Sequence, residues 1–207
     1  MTELEKLRDE CLACRRCRIG GVLVAGKFLS NVFSNMNEQA KIMVVGQNPG
    51  GYEVEKAEPF VGISGKFFDQ LVAEVLGMTR KDFYISNCVR CFSPGNRELL
   101  QEELDNCRVF LDKEVEIVKP KVILALGGPA FKQITGMRGI MKHHGELVFS
   151  PRYKVFIMPL LHPSPLNMNR PDNRKLFYDD LWKLRAYLDK LEDERLATKV
   201  ATPPCEK

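Results

Sequence analysis

The sequence predicts an α/β fold of three layers, α/β/α, around a central, mainly parallel four-stranded sheet. Two observations predict it: four short apolar runs of similar build recur along the chain, and helical patterns lie between them. Continuous apolar runs of this length suit strands covered on both faces, as in a parallel sheet. Strand–helix alternation supplies the crossovers that parallel strands need.

The first run, Lys41–Gly46 (KIMVVG), closes on glycine. Ser64–Leu76 follows with apolar residues at Phe67, Phe68, Leu71, Val72 and Val75, one face of a helix. Asp82–Asn87 (DFYISN) is the second strand, and Arg97–Val118 a second helix that Pro120 stops. Lys121–Gly127 (KVILALG) is the third strand, Pro129–Thr135 a short helix, Lys154–Leu160 (KVFIMPL) the fourth strand and Asn173–Leu191 the closing helix. Residues 1–192 read as a single domain with a cysteine-bearing N-terminal segment. Asp193–Lys207 is polar, contains Pro203-Pro204 and is expected to be a frayed tail.

A length of 207 residues suits one domain, and 44% hydrophobic with 28% charged residues is a globular balance. Apolar runs such as Val122–Leu126 are far too short to span a bilayer, and Met1–Glu10 lacks the apolar centre of a secretory signal. A cytoplasmic monomer without membrane attachment is expected. The net charge of +4 permits a nucleic-acid partner without demanding one. Seven cysteines in a reducing compartment point to metal binding rather than disulfides. By spacing alone, Cys14-x-x-Cys17 with Cys88-x-x-Cys91 fits zinc.

In open α/β sheets ligands bind beyond the carboxyl ends of the strands. The first strand ends at Gln47-Asn48-Pro49-Gly50, the second at Asn87 and the fourth at His162-Pro163-Ser164-Pro165. Three polar, non-helical segments are therefore expected to converge on one edge.

These segments carry a resemblance. Gly46-Gln47-Asn48-Pro49-Gly50, Pro59-Phe60-Val61-Gly62 and His162-Pro163-Ser164-Pro165-Leu166 resemble the motifs of the uracil-DNA glycosylase superfamily. Asn87-Cys88-Val89-Arg90-Cys91, Ser93-Pro94-Gly95-Asn96-Arg97 and Cys107 resemble its iron–sulfur branch, family 4. The late motif, ending in Leu166, is similar to family 1, and Asn48 matches the mismatch-specific relatives.

The resemblance implies an enzyme that flips uracil out of single- or double-stranded DNA and hydrolyses its N-glycosidic bond, leaving an abasic site for base excision repair. Asn87 would read the base, since a carboxamide offers a donor and an acceptor to O4 and N3–H of uracil, whereas cytosine presents the opposite pattern. Phe60 would stack on the base. His162 would stabilise the departing anion, and Asn48 would orient the attacking water. Gln47 would offer its backbone N–H, and Glu53 would stand at the C5 edge to exclude a thymine methyl. Leu166 would wedge into the gap left by the flipped base, with Met168 as competitor. Ser64, Lys66, Ser164 and Arg170 would hold phosphates. The plainer alternatives are a capping Asn87, a core Phe60, a turn-forming Asn48 and a solvated surface at the phosphate positions. The resemblance further implies a structural [4Fe–4S] cluster on Cys14, Cys17, Cys91 and Cys107, with Cys11 or Cys88 as alternative ligands and no catalytic metal. Competing functions are a broader deaminated-base or mismatch glycosylase and a uracil-DNA-binding module that does not cut.

Overall fold

The computed structural model describes residues 1–20, 23–24, 27–28 and 31–200. Helix α1 (Glu3–Leu12) opens the chain, followed by the two-residue strands β1 (Leu23–Val24) and β2 (Lys27–Phe28), which form a small antiparallel pair. The main elements are β3 (Ile42–Gly46), α2 (Gly51–Lys56), α3 (Ile63–Leu76), β4 (Phe83–Asn87), α4 (Gln101–Val118), β5 (Val122–Leu126), α5 (Gly128–Thr135), α6 (Ile140–His143), β6 (Val148–Ser150), β7 (Val155–Leu160), α7 (Pro165–Met168) and α8 (Pro171–Val200).

The main sheet has the order β4-β3-β5-β7-β6. The pairs β3–β4, β3–β5 and β5–β7 are parallel, in registers such as Ile42↔Phe83, Ile42↔Val122 and Val122↔Phe156. All four strands read from the sequence are present. The sheet has a fifth, β6, which pairs antiparallel with β7 at the edge. It is three residues long, and Phe149 at its centre is 52% exposed, so it carries no continuous apolar run.

Side-chain alternation builds the layers. Met43, Val45, Tyr84, Ile123, Ala125 and Ile157 face one core with residues of α1, α4 and α5. Ile42, Val44, Phe83, Ile85, Leu124 and Met158 face the other with residues of α3 and α8.

The helices differ from the sequence reading in several places, and the short helices α2, α6 and α7 are additional to it. Helix α4 starts at Gln101 rather than Arg97, because the Glu103 carboxylate accepts from Leu100 N at 2.8 Å and fixes the first turn there. Helix α8 continues to Val200, past the tail boundary expected at Asp193. Helix α1 was not foreseen; its Thr2–Glu5 capping box is formed in both directions, and Leu4, Leu7 and Cys11 face the core. Residues 201–207, including Cys205, lie outside the described residues. Among the described residues no helix is long and apolar enough to cross a membrane.

Candidate active site

Strand order decides where a crevice forms. From β3 the chain steps to β4 on one side, then crosses to β5 on the other, so the loops after β3 and β5 part at their carboxyl ends. A cavity of about 360 Å³ opens there, lined by Gln47, Asn48, Phe60, Asn87, Ser93, Asn96, Arg97, Glu98, Pro129 and His162. A second, of about 430 Å³, shares Gln47, Pro129 and His162 and extends towards Asn167 and Asn173. The structure thus brings together Gln47, Asn48, Phe60, Asn87 and His162 from four separate segments.

Asn87 is the last residue of β4 and is 2% exposed. Its backbone carbonyl accepts from the fully buried Arg90, whose guanidinium also pairs with the buried Glu114 at 2.6 Å. Among the described residues its carboxamide has no hydrogen-bond partner, although it lines the cavity. An amide whose polar atoms open onto a cavity can take its hydrogen-bond partners from a ligand.

Gly46 lies beneath it. A Cβ there would come within 2.5 Å of both Asn87 Oδ1 and Phe60 Cζ, so only glycine lets the amide and the ring approach this closely. Phe60 is 7% exposed and adopts a left-handed backbone, φ 55°. Its ring lies 6.4 Å from that of His162, at 37°.

His162 follows β7. Its carbonyl accepts from Ser164 N at 2.8 Å and from Asn167 Nδ2 at 2.9 Å, which fixes the loop. Gly127 backs it: φ is 91°, and a Cβ there would meet His162 Cβ at 3.2 Å. Burial holds the imidazole below its usual 6.5, while the Glu53 carboxylate pulls the other way. The ring is therefore neutral at pH 7, with one N–H to donate. Asn48 donates from Nδ2 to Pro49 O at 3.2 Å, leaving Oδ1 without a partner among the described residues.

Glu53 departs from its expected place at the base. It does not line the cavity; Oε1 accepts from Gly62 N at 2.7 Å and Oε2 from Gly50 N at 3.1 Å. Both oxygens are thereby spent on clamping the two loops that carry Asn48 and Phe60. Of the two wedge candidates, Leu166 is 71% exposed and Met168 is 2% exposed. Ser64 and Ser164 are half-buried, and Lys66 and Arg170 are exposed. Among the described residues neither of these two cations pairs with a carboxylate.

Cys14, Cys17, Cys91 and Cys107 line one cavity with Asn31, Arg90 and Asn106. Cys11 and Cys88 do not; both are buried in the core beside it. Burial pushes the Cys91 thiol up to about 12, and the thiols of Cys107, Cys17 and Cys14 push it the same way. Burial also raises Cys17 and Cys107. Four cysteines lining one cavity are a donor set of the kind that a group bound through thiolates takes. Among the described residues no group of three or more His, Cys, Asp or Glu side chains is arranged to hold a single metal ion.

Three arginines without an expected role support the site, and of these only Arg80 lies outside the recognised motifs. Arg97 lines the cavity and is held by both oxygens of Glu103, at 3.0 and 2.5 Å. Arg80 and Arg90 grip backbone carbonyls of Phe60 and Asn87. The remaining histidines stand apart from this cavity; His144 Nδ1 bonds the buried Asp180 at 2.7 Å.

The family model described as the uracil DNA glycosylase superfamily matches residues 33–185, and the chain belongs to that superfamily. Within it, the chain is similar to proteins named type-4 uracil-DNA glycosylase. That of Sulfurisphaera tokodaii is 32% identical over 89% of this chain and 84% of its own. That of Archaeoglobus fulgidus is 31% identical over 89% and 92%, and that of Thermotoga maritima 35% identical over 74% and 81%.

Proposed function

We propose that the chain is a monofunctional uracil-DNA glycosylase of base excision repair. The observation that carries this reading is the single cavity shared by Asn87, Phe60, Asn48 and His162, in a member of the superfamily. A base extruded from DNA enters the cavity and stacks on Phe60. The Asn87 carboxamide accepts from N3–H and donates to O4. As the bond between C1′ and N1 breaks, its electron pair leaves with the base, and the His162 N–H, aimed at O2, stabilises that charge. A water held by Asn48 Oδ1 bonds to C1′ and loses a proton to solvent. A neutral amide orients this water but is a weak base, so the chemical step is slower than with a carboxylate at this position.

Cys14, Cys17, Cys91 and Cys107 would hold a [4Fe–4S] cluster, which suits all-cysteine ligation. When bound, the cluster supplies structure: it ties the segment after α1 to the loop beyond β4 and to α4. Anaerobically purified protein is expected to absorb near 400 nm; a colourless protein containing zinc contradicts the assignment. The DNA contacts proposed for Ser64, Lys66, Ser164, Leu166 and Arg170 follow directly after the cavity-lining loops in the chain.

The engagement of Glu53 with backbone N–H groups supports a second reading, in which the C5 edge is open enough to admit thymine or other altered bases. Oligonucleotides carrying U, T, hypoxanthine or xanthine opposite each base, in single- and double-stranded form, distinguish the readings by alkali-revealed cleavage. Cleavage at uracil alone supports strict uracil excision, cleavage at several bases supports the second reading, and uracil-DNA binding without cleavage refutes both.

A further inference from the structure

The aromatic ring of the cavity is carried on a backbone that phenylalanine does not favour. Phe60 has φ 55°, the left-handed region that costs a bulky residue energy and persists only where surrounding structure fixes it. What fixes it comes from twenty residues further along the chain. Arg80 opens a single 3₁₀ turn (Arg80–Asp82) that Asp82 anchors by accepting from Thr79 N at 2.7 Å. From there the guanidinium donates to Phe60 O at 2.8 Å and to Pro59 O at 2.6 Å. Its charge is balanced by Asp69 at 3.2 Å and Glu58 at 3.5 Å. The Phe60 carbonyl reaches this position because α3 has glycine at Gly65, where a Cβ would lie 1.7 Å from that oxygen. A planar fork matches two neighbouring carbonyls, which a lysine ammonium does not reproduce.

We propose that Arg80 is the positioning residue for base stacking: its grip on the Pro59 and Phe60 carbonyls holds the Phe60 ring across the end of β3, where the extruded base lies. The proposal rests on the reading of Phe60 as the stacking face. Arg80 does not line the cavity and acts only through the turn that carries the ring.

A double-mutant cycle with Phe60→Ala tests it, with single-turnover cleavage of uracil-containing DNA and thermal melting as parallel readouts. Arg80→Met is expected to slow cleavage about tenfold to a hundredfold, the cost of displacing a reacting partner by about 1 Å. In the Phe60→Ala background the same change is expected to slow cleavage less than about threefold, because no ring remains to be placed. The loss in melting temperature is expected to be the same in both backgrounds. Arg80→Lys should recover part of the rate. Equal rate losses in the two backgrounds, or wild-type cleavage by Arg80→Met, overturn the proposal. Wild-type cleavage by Phe60→Ala instead overturns the stacking reading beneath it. If Arg80→Met does not fold, Arg80→Lys runs the same cycle; failure of both to fold overturns the proposal by making Arg80 a support of the whole domain.

Discussion

Gly46→Ala adds one methyl group at the most crowded point of the site. The new Cβ would stand 2.5 Å from Asn87 Oδ1, 2.5 Å from Phe60 Cζ and 2.7 Å from Phe60 Cε2. Non-bonded carbons settle at roughly 3.5–4.0 Å, so the amide and the ring must each withdraw by about 1 Å. Both are anchored at the backbone: Asn87 ends edge strand β4 in register with Gly46, and the Phe60 carbonyl is held by Arg80. A misplacement of about 1 Å costs on the order of a hundredfold in rate, or about 2.7 kcal/mol of transition-state stabilisation. The strain also lowers stability by about 1–3 kcal/mol. In a domain of this size that shifts the melting temperature by roughly 2–12 °C. Single-turnover cleavage and thermal melting measure the two effects on one preparation. Gly51→Ala is the control, because a Cβ there meets nothing within 4 Å, and its cleavage rate is expected to match wild type. A Gly46→Ala protein that cleaves at the wild-type rate refutes the placement of Asn87 and Phe60 over this glycine.

Three further outcomes follow from the same geometry. Glu53→Ala leaves the N–H groups of Gly50 and Gly62 without their acceptor, so melting should reveal a loss of about 1–3 kcal/mol together with slower uracil cleavage; unchanged stability with newly gained thymine cleavage would instead place Glu53 at the base. His162 should titrate below 6.5 by side-chain NMR, and lower still in Glu53→Gln, where the opposing carboxylate charge is gone. Because the unfolded chain takes up this proton more readily, stability should fall as pH drops from 6.5 to the folded midpoint and be insensitive to His162 above 6.5; a midpoint above 6.5 contradicts the burial argument. Leu166→Ala should slow cleavage of duplex DNA by about tenfold, some 1.4 kcal/mol of wedge contact, and spare single-stranded DNA; equal losses on both would remove Leu166 from the wedge role.

The sheet was legible because a strand buried on both faces writes a continuous apolar run, and β3, β4, β5 and β7 each do. Strand β6 escaped because three residues with an exposed Phe149 leave no pattern. Helix α1 had a signal, Thr2 and Glu5 at capping-box spacing with Leu4, Leu7 and Cys11 on one face, but three core-facing positions among mostly charged residues make a weak apolar stripe. In the site, the loops at the strand ends were readable because their residues are contiguous and chemically unusual. Arg90 and Arg97 lie inside recognised motifs, but their carboxylate partners Glu114 and Glu103 sit on α4; Arg80 lies outside every motif and acts on the Phe60 carbonyl twenty residues away, a partner no local spacing encodes. Glu53 shows the converse: its position suggested contact with the base, and only the fold shows that both oxygens are occupied.

The central claim is that the Asn87 carboxamide reads the pyrimidine edge in the cavity. Asn87→Asp replaces the amide donor with a second acceptor, a pattern that suits the N4 amino group of cytosine and opposes O4 of uracil. Single-turnover assays on matched oligonucleotides carrying uracil or cytosine at one position should show uracil cleavage falling by about a hundredfold or more, with cytosine cleavage rising above wild type. A folded Asn87→Asp protein that cleaves uracil at the wild-type rate and leaves cytosine intact would contradict it.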